Sequence, residues 1–218
     1  MRGMRRGLGR WTSWLAPLLA ALPVAAPAVA DPAADAALAE SLALERYHEG
    51  FPPEYGVRIT DAGAARLVEM LADPQYAPHH ATVTEALAAS GRPVAFDALA
   101  AYAERDAGDE IDHARFRALR TLPLAMGLLA RSDDRALAWL EWAASRRGPA
   151  PFRTRSADAA KVGRRLRLQA LYGLGVSGRP EARERLRAEA AAAGDPRDAV
   201  VAAAALDAHA RAAIEAAR

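Results

Sequence analysis

The chain has 218 residues, 52% of them apolar, no cysteine, and a formal net charge of +2. That apolar content is ample for a packed core, while the missing thiols exclude disulfides, thiolate metal sites, thiol catalysis and lipid attachment at a cysteine. Alanine supplies 58 residues, and β-branched and aromatic types are few, a balance that favours helices over strands.

In chain order, MRGMRRGLGR places Arg2, Arg5, Arg6 and Arg10 ahead of an uncharged run over residues 11–30 that closes on AVA before Asp31. This is the pattern of a secretory signal cleaved after Ala30, which directs the remaining chain to the periplasm or out of the cell. Pro17, Pro23 and Pro27 interrupt the run and no stop-transfer charges follow it; the alternative is an uncleaved membrane anchor. The pair Arg5-Arg6 raises a twin-arginine route, for which Gly7-Leu8 is a poor continuation. Residues 1–30 hold four of the 29 basic residues and none of the 27 acidic ones, so residues 31–218 carry 25 basic and 27 acidic groups, a net of −2. The whole-chain pI of 9.3 therefore misleads, and nucleic acid is set aside as a partner.

The elements follow. DAALAESLALERYHE reads as a helix, and EGFPPEYGVR as a long connection. ITDAGAARLVEML is a helix with Thr60 as its N-cap and a stop at Asp73-Pro74. The apolar-periodic segments HATVTEALAAS, FRALRTLPLAMGLLAR and RRLRLQALYGLGVS each precede a short phrase: GRPVAFDAL, SDDRALAWL and GRPEARERL respectively. Two more long connections are the acidic ERDAGDEIDH and the Pro/Arg-rich RRGPAPFRTRSAD. Asp195-Pro196 starts a long last helix, on which Asp207, Arg211 and Glu215 form an i, i+4 polar stripe suited to a terminal cap. Summing the periodic segments gives about nine helices, terminal caps included.

The three phrases are one phrase repeated. Their anchors Gly91, Ser132 and Gly178 lie 41 and 46 residues apart, within the range of helical repeats. Four residues beyond each anchor stands Ala95, Ala136 or Ala182, and eight beyond stands Leu99, Leu140 or Leu186. Small then large, one helical turn apart, is what a helix needs to lie close against a neighbour. Gly91 and Gly178 suit the left-handed residue that ends a helix, and Pro93 and Pro180 suit the first turn of the next. Each unit is then a helical hairpin.

These phrases, together with LYGLGVSGRPEA and AGDPRDAVVAAAAL, resemble HEAT repeats, and MLADPQYAPHHATVTEALAASGRPVAFDAL resembles exported bacterial HEAT-repeat proteins; the likeness covers roughly residues 60–210. The resemblance implies an α-α superhelix whose second helices line the concave side and whose faces bind other proteins. It also implies that Pro123 bends one first helix.

Convergent chemistry is sparse. His48, His79, His80, His113 and His209 show no HExxH or comparable spacing, and read as solvated or helix-starting residues; no metal site is expected. No GxSxG elbow is present, and Ser90, Ser132 and Ser177 fall at turns where a hydroxyl is structurally useful. GLGVSG follows a helix rather than a strand, so no phosphate or other cofactor is expected. DAGDEID, with Asp106, Asp109, Glu110 and Asp112, lacks calcium-loop spacing and reads as a solvated acidic turn.

Two features point to binding. Residues 146–167 gather Arg146, Arg147, Arg153, Arg155, Lys161, Arg164, Arg165 and Arg167 against Asp158 alone, either to grip an acidic partner or anionic envelope surface, or simply to pair with nearby acids. Trp139 matches Ala98 and Arg185 in the other units, and Trp142 matches Ala101 and Ala188, so both rings belong on a partly exposed face. There they either form a partner hot spot or fill a gap between units. The expectation is an all-α, non-catalytic scaffold over residues 31–218 that takes a protein partner at Trp139, Trp142, Arg146, Arg147, Arg153 and Arg155. The alternatives are a HEAT-like enzyme or enzyme subunit of lyase type, and a peripheral binder of anionic envelope surface through residues 146–167.

Overall fold

The computed structural model describes residues 31–105, 108–145 and 152–216. The expected signal segment, Asp106, Arg146 and Arg147 lie outside the described residues. The fold is all-α: α1 (Pro32–Leu44), α2 (Pro53–Gly56), α3 (Asp61–Ala72), a 3₁₀ helix (Pro74–His79), α4 (His80–Ala89), α5 (Val94–Glu104), α6 (His113–Leu129), α7 (Asp134–Ala144), α8 (Ala159–Ser177), α9 (Pro180–Ala192) and α10 (Pro196–Ala216).

Sequence signals fix most boundaries. Thr60 Oγ1 accepts the Gly63 N–H at 3.3 Å, and α3 ends at Ala72 with the extended Asp73 as its C-cap. Gly91 and Gly178 sit at φ of 61° and 65°, the left-handed region where a Cβ is disfavoured. Pro180 opens α9, whereas Pro93 stands one place earlier than expected, at the N-cap of α5. Ser90 and Ser177 make the same turn contacts: each hydroxyl donates at 2.6 Å to the carbonyl three residues back, and accepts the N–H two residues on.

Two expectations need correction near the start. The helix read over residues 35–49 ends at Leu44, because Glu45 is extended and the Tyr47 hydroxyl turns back to donate to the Leu42 carbonyl at 3.0 Å. Tyr47, Phe51 and Tyr55 then pack edge to face, and burial pushes the Tyr47 hydroxyl up to about 12. Inside the stretch read as a connection lies α2, which makes ten α-helices among the described residues instead of about nine.

The helices form two rows. α4, α6, α8 and α10 lie side by side in chain order, with α2 against α4. In the second row α5 rests on α4 and α6, α7 on α6 and α8, and α9 on α8 and α10, while α3 packs on α1, α4 and α5. Glycine lets first-row backbones touch. A Cβ on Gly56 would collide with the Ala89 carbonyl, one on Gly127 with the Gly173 carbonyl, and one on Gly175 with the Ala205 carbonyl.

The repeated alanines and leucines do one job in each unit. Ala95, Ala136 and Ala182 are fully buried on α5, α7 and α9, as are Leu99, Leu140 and Leu186 one turn on. Burying each leucine contributes about 1.5–3 kcal/mol relative to leaving it in water. A fourth copy escaped the sequence reading: on α3 Gly63 takes the small position and Leu67 the large one, both buried. Arginines at the turns tie units together, Arg92 pairing with Asp61 at the start of α3 (3.5 Å) and Arg179 with Asp134 at the start of α7 (2.8 Å).

Candidate functional site

Trp139 and Trp142 stand one turn apart on α7 with ring centroids 6.0 Å apart. One turn before them Arg135 lies over the Phe96 ring of α5, 4.6 Å from its centroid, and pairs with Asp97 at 3.3 Å. The tryptophans continue that stripe along the α5 side of α7. Trp139 is half-buried against the core, and its indole N–H is buried with no hydrogen-bond partner among the described residues. Trp142 is 43% exposed. The sequence expectation of a shared, partly exposed face matches this placement, with the two rings differing in role: the inner one packs and the outer one meets solvent.

One unit earlier, the matching positions Ala98 and Ala101 leave space. Together with Val68, Leu71 and Ala72 of α3 and with Tyr102 and Arg105 they line an apolar groove of about 190 Å³ between α3 and α5. At its end the side chains become polar. The Arg105 guanidinium stacks on Tyr102, 4.8 Å from the ring centroid, and donates to the Leu71 carbonyl at 3.2 Å. On the other side Arg115, itself buried, lies 3.8 Å from that centroid and donates to the Tyr102 and Arg105 carbonyls.

His80 completes this cluster. It starts α4, as expected of a histidine here, yet only 2% of its surface is exposed. Nε2 lies 3.1 Å from the Met70 carbonyl and 3.2 Å from that of Asp73, and Nδ1 lies 3.1 Å from the Tyr102 hydroxyl. The contacts fit a neutral ring with Nε2–H donating to the carbonyls and the tyrosine donating to Nδ1. Burial lowers the His80 pKa, outweighing the two carbonyls, which raise it. His209 departs from the solvated reading as well: it is buried in the middle of α10, with Nε2 2.9 Å from the Arg179 carbonyl.

Part of the basic segment is engaged inside the molecule. Phe152 is fully buried and anchors it, and the Arg153 main chain pairs with the acidic turn through Arg153 N–H to the Asp109 carbonyl (3.2 Å) and Ile111 N–H to the Arg153 carbonyl (2.8 Å). Arg164 pairs with Asp195 and, at 2.7 Å, with Asp198. Arg167 reaches Glu189 at 2.6 Å, Asp198 at 3.4 Å and the Ala144 carbonyl at 3.2 Å. Arg155 remains 97% exposed, 3.9 Å from Glu110. Among the described residues no three His, Asp or Glu side chains gather in metal-binding geometry, and no helix is long and apolar enough to cross a membrane. No protein-family model matches the chain, and neither the curated proteins nor the solved structures yield a match.

Proposed function

We propose that this chain is a non-catalytic scaffold of HEAT-like hairpins, an α-α superhelix that binds a protein partner through its second helices. The observation that carries the reading is Trp142, a ring 43% exposed on a second-row helix whose neighbouring groove is lined by apolar side chains. A rigid row of helices presents such a surface with little ordering cost, and exposed tryptophan is the residue type most enriched in binding hot spots. Arg153 and Arg155, exposed beside the acidic turn, are proposed as further contacts. The test is capture from extracts of the native organism by tagged full-length protein. Trp142→Ala removes the co-purifying partner while the helical spectrum and melting curve stay put; equal capture by the variant overturns the reading.

The N-terminal signal pattern supports export, with cleavage after Ala30 and a periplasmic or extracellular location. N-terminal sequencing of protein recovered from the envelope fraction checks this. A first residue other than Asp31 moves the cleavage site, and retention of residues 1–30 favours an anchor.

A further inference from the structure

The last helix of the first row has one face that nothing covers. α8 and α9 pack on α10, burying Ala202, Ala205, Ala208 and Ala212, while the opposite face stands in solvent. A terminal helix that only capped the stack would be polar there. Glu215, the third member of the expected polar stripe, instead lies toward Arg131 at 3.6 Å. The outward line carries Val200, 68% exposed, and Ile214, 57% exposed, with Ala203 and Ala204 between them. Asp207 and Arg211 are the charges on it, and they pair neither with each other nor with any other side chain among the described residues.

This face is complementary to itself. Val200, Ala203, Ala204 and Asp207 follow the i, i+3, i+4, i+7 spacing of a hole on a helix surface, and the two alanines at its centre leave it open. Ile214 is a knob of the size such a hole takes. When two α10 helices run antiparallel, the register that sets Ile214 of one over the centre of that hole in the other also sets Asp207 opposite Arg211, to within half a residue. One register satisfies both size and charge.

We propose that this face binds the same face of a second copy of the chain, antiparallel, with Ile214 in the partner's hole and Asp207 paired with the partner's Arg211. The contact is isologous, each half made twice about a two-fold axis, so it closes at a dimer. One helix from each molecule makes a small interface, and association is weak and concentration-dependent. The surface belongs to the first row, apart from Trp142 on the second, and goes beyond the reading of the second row as a partner-binding face.

Sedimentation velocity on the purified protein tests this, over concentrations up to about 0.5 mM, where contacts with Kd near 1 mM begin to register. The weight-average sedimentation coefficient is expected to climb with concentration toward the dimer value and no further. Ile214→Glu abolishes the climb, as do Asp207→Arg and Arg211→Asp, each of which sets like charges against like across the axis. All three positions are exposed, so the fold is kept, and matched circular dichroism and melting curves check that. Mixing Asp207→Arg with Arg211→Asp is the decisive arm: two arginines of one chain then face two aspartates of the other, and a 1:1 dimer returns. A monomeric wild type, association unchanged in Ile214→Glu or in the charge variants, or a mixture that stays monomeric overturns the proposal. Trp142→Ala is expected to dimerise like the wild type, so a failure of partner capture at the second row leaves this contact standing; loss of the dimer in that variant would move the contact off α10 and overturn it.

Discussion

Gly127 of α6 and Gly173 of α8 meet main chain to main chain: a Cβ on Gly127 would collide with the Gly173 carbonyl, and one on Gly173 would collide with the Pro123 carbonyl and press on Leu140 at 2.8 Å. The two helices approach this closely only because neither carries a side chain there. Gly173→Ala must separate them, and overpacking of this kind costs about 1–3 kcal/mol, more than the roughly 1 kcal/mol that alanine gains over glycine inside a helix. Gly163, on the same helix, has nothing within 4 Å of its Cβ direction. Urea denaturation should therefore give opposite signs on one helix: Gly173→Ala lowers the midpoint, and Gly163→Ala raises stability by about 0.5–1 kcal/mol.

The two tryptophans separate packing from binding. Trp139 rests against the core, so Trp139→Ala leaves a partial cavity and costs about 2 kcal/mol, below the 3–5 kcal/mol typical of a fully buried ring. Trp142→Ala removes a largely solvated ring and changes stability by about 0.5 kcal/mol or less. Thermal melts of the two single variants check this, and equal losses would place both rings in the packing.

Much of this arrangement was legible in the residues. Small-then-large spacing located three second-row helices, since a buried contact at fixed register repeats the same pair of sizes. The copy on α3 stayed hidden because glycine took the alanine place and the spacing to Ala95 shortens to 32 residues. The α2 turn was hidden because one turn carries no period; it is held by tertiary contact, with Gly56 against Ala89 and the Phe51 N–H donating to Glu85 at 2.8 Å. Nothing local announced that Phe152, next to arginines in sequence, would be buried in the hydrophobic core, or that His80 would sit between main-chain carbonyls on one side and the Tyr102 hydroxyl on the other. Both depend on which distant segments the hairpins bring together, and that follows from the fold.

The buried His80 makes stability depend on pH. Its pKa is lowered in the folded chain, so below the unfolded value of about 6.5 the unfolded chain takes up the proton first and the fold loses stability as pH falls further. Protonation in place would put a third cation beside Arg105 and Arg115, which face the same Tyr102 ring, and would point Nδ1–H at a hydroxyl that now donates to it. Glu85 works in the other direction. Burial raises its pKa, so the folded chain holds that proton more tightly and Glu85 offsets part of the loss at lower pH. Urea midpoints at pH 7.5 and pH 5 should fall toward acid in the wild type, and His80→Gln should flatten that dependence while lowering both values. An unchanged slope in the variant would move the titrating group elsewhere.

The arginines of α8 and those before it should separate into two kinds. Arg167 is mostly buried and is shared among Glu189 of α9, Asp198 of α10 and the Ala144 carbonyl at the end of α7, so it brackets three helices at once. Without Arg167, Glu189 keeps only Arg185 and Asp198 only Arg164 among the described residues, while the contacts that join α7, α9 and α10 to α8 through this side chain are lost, and Arg167→Ala should cost about 1–2 kcal/mol. Arg155 is almost wholly in water and its ion pair with Glu110 is long, so Arg155→Ala should leave the melting curve unchanged. The pair also tests the surface role of the basic segment. If this segment contacts an anionic envelope, binding to phosphatidylglycerol vesicles weakens in Arg155→Ala and at raised ionic strength, with stability untouched. Vesicle binding that ignores both changes would leave the basic residues with the internal pairing duty that Arg164 and Arg167 already perform.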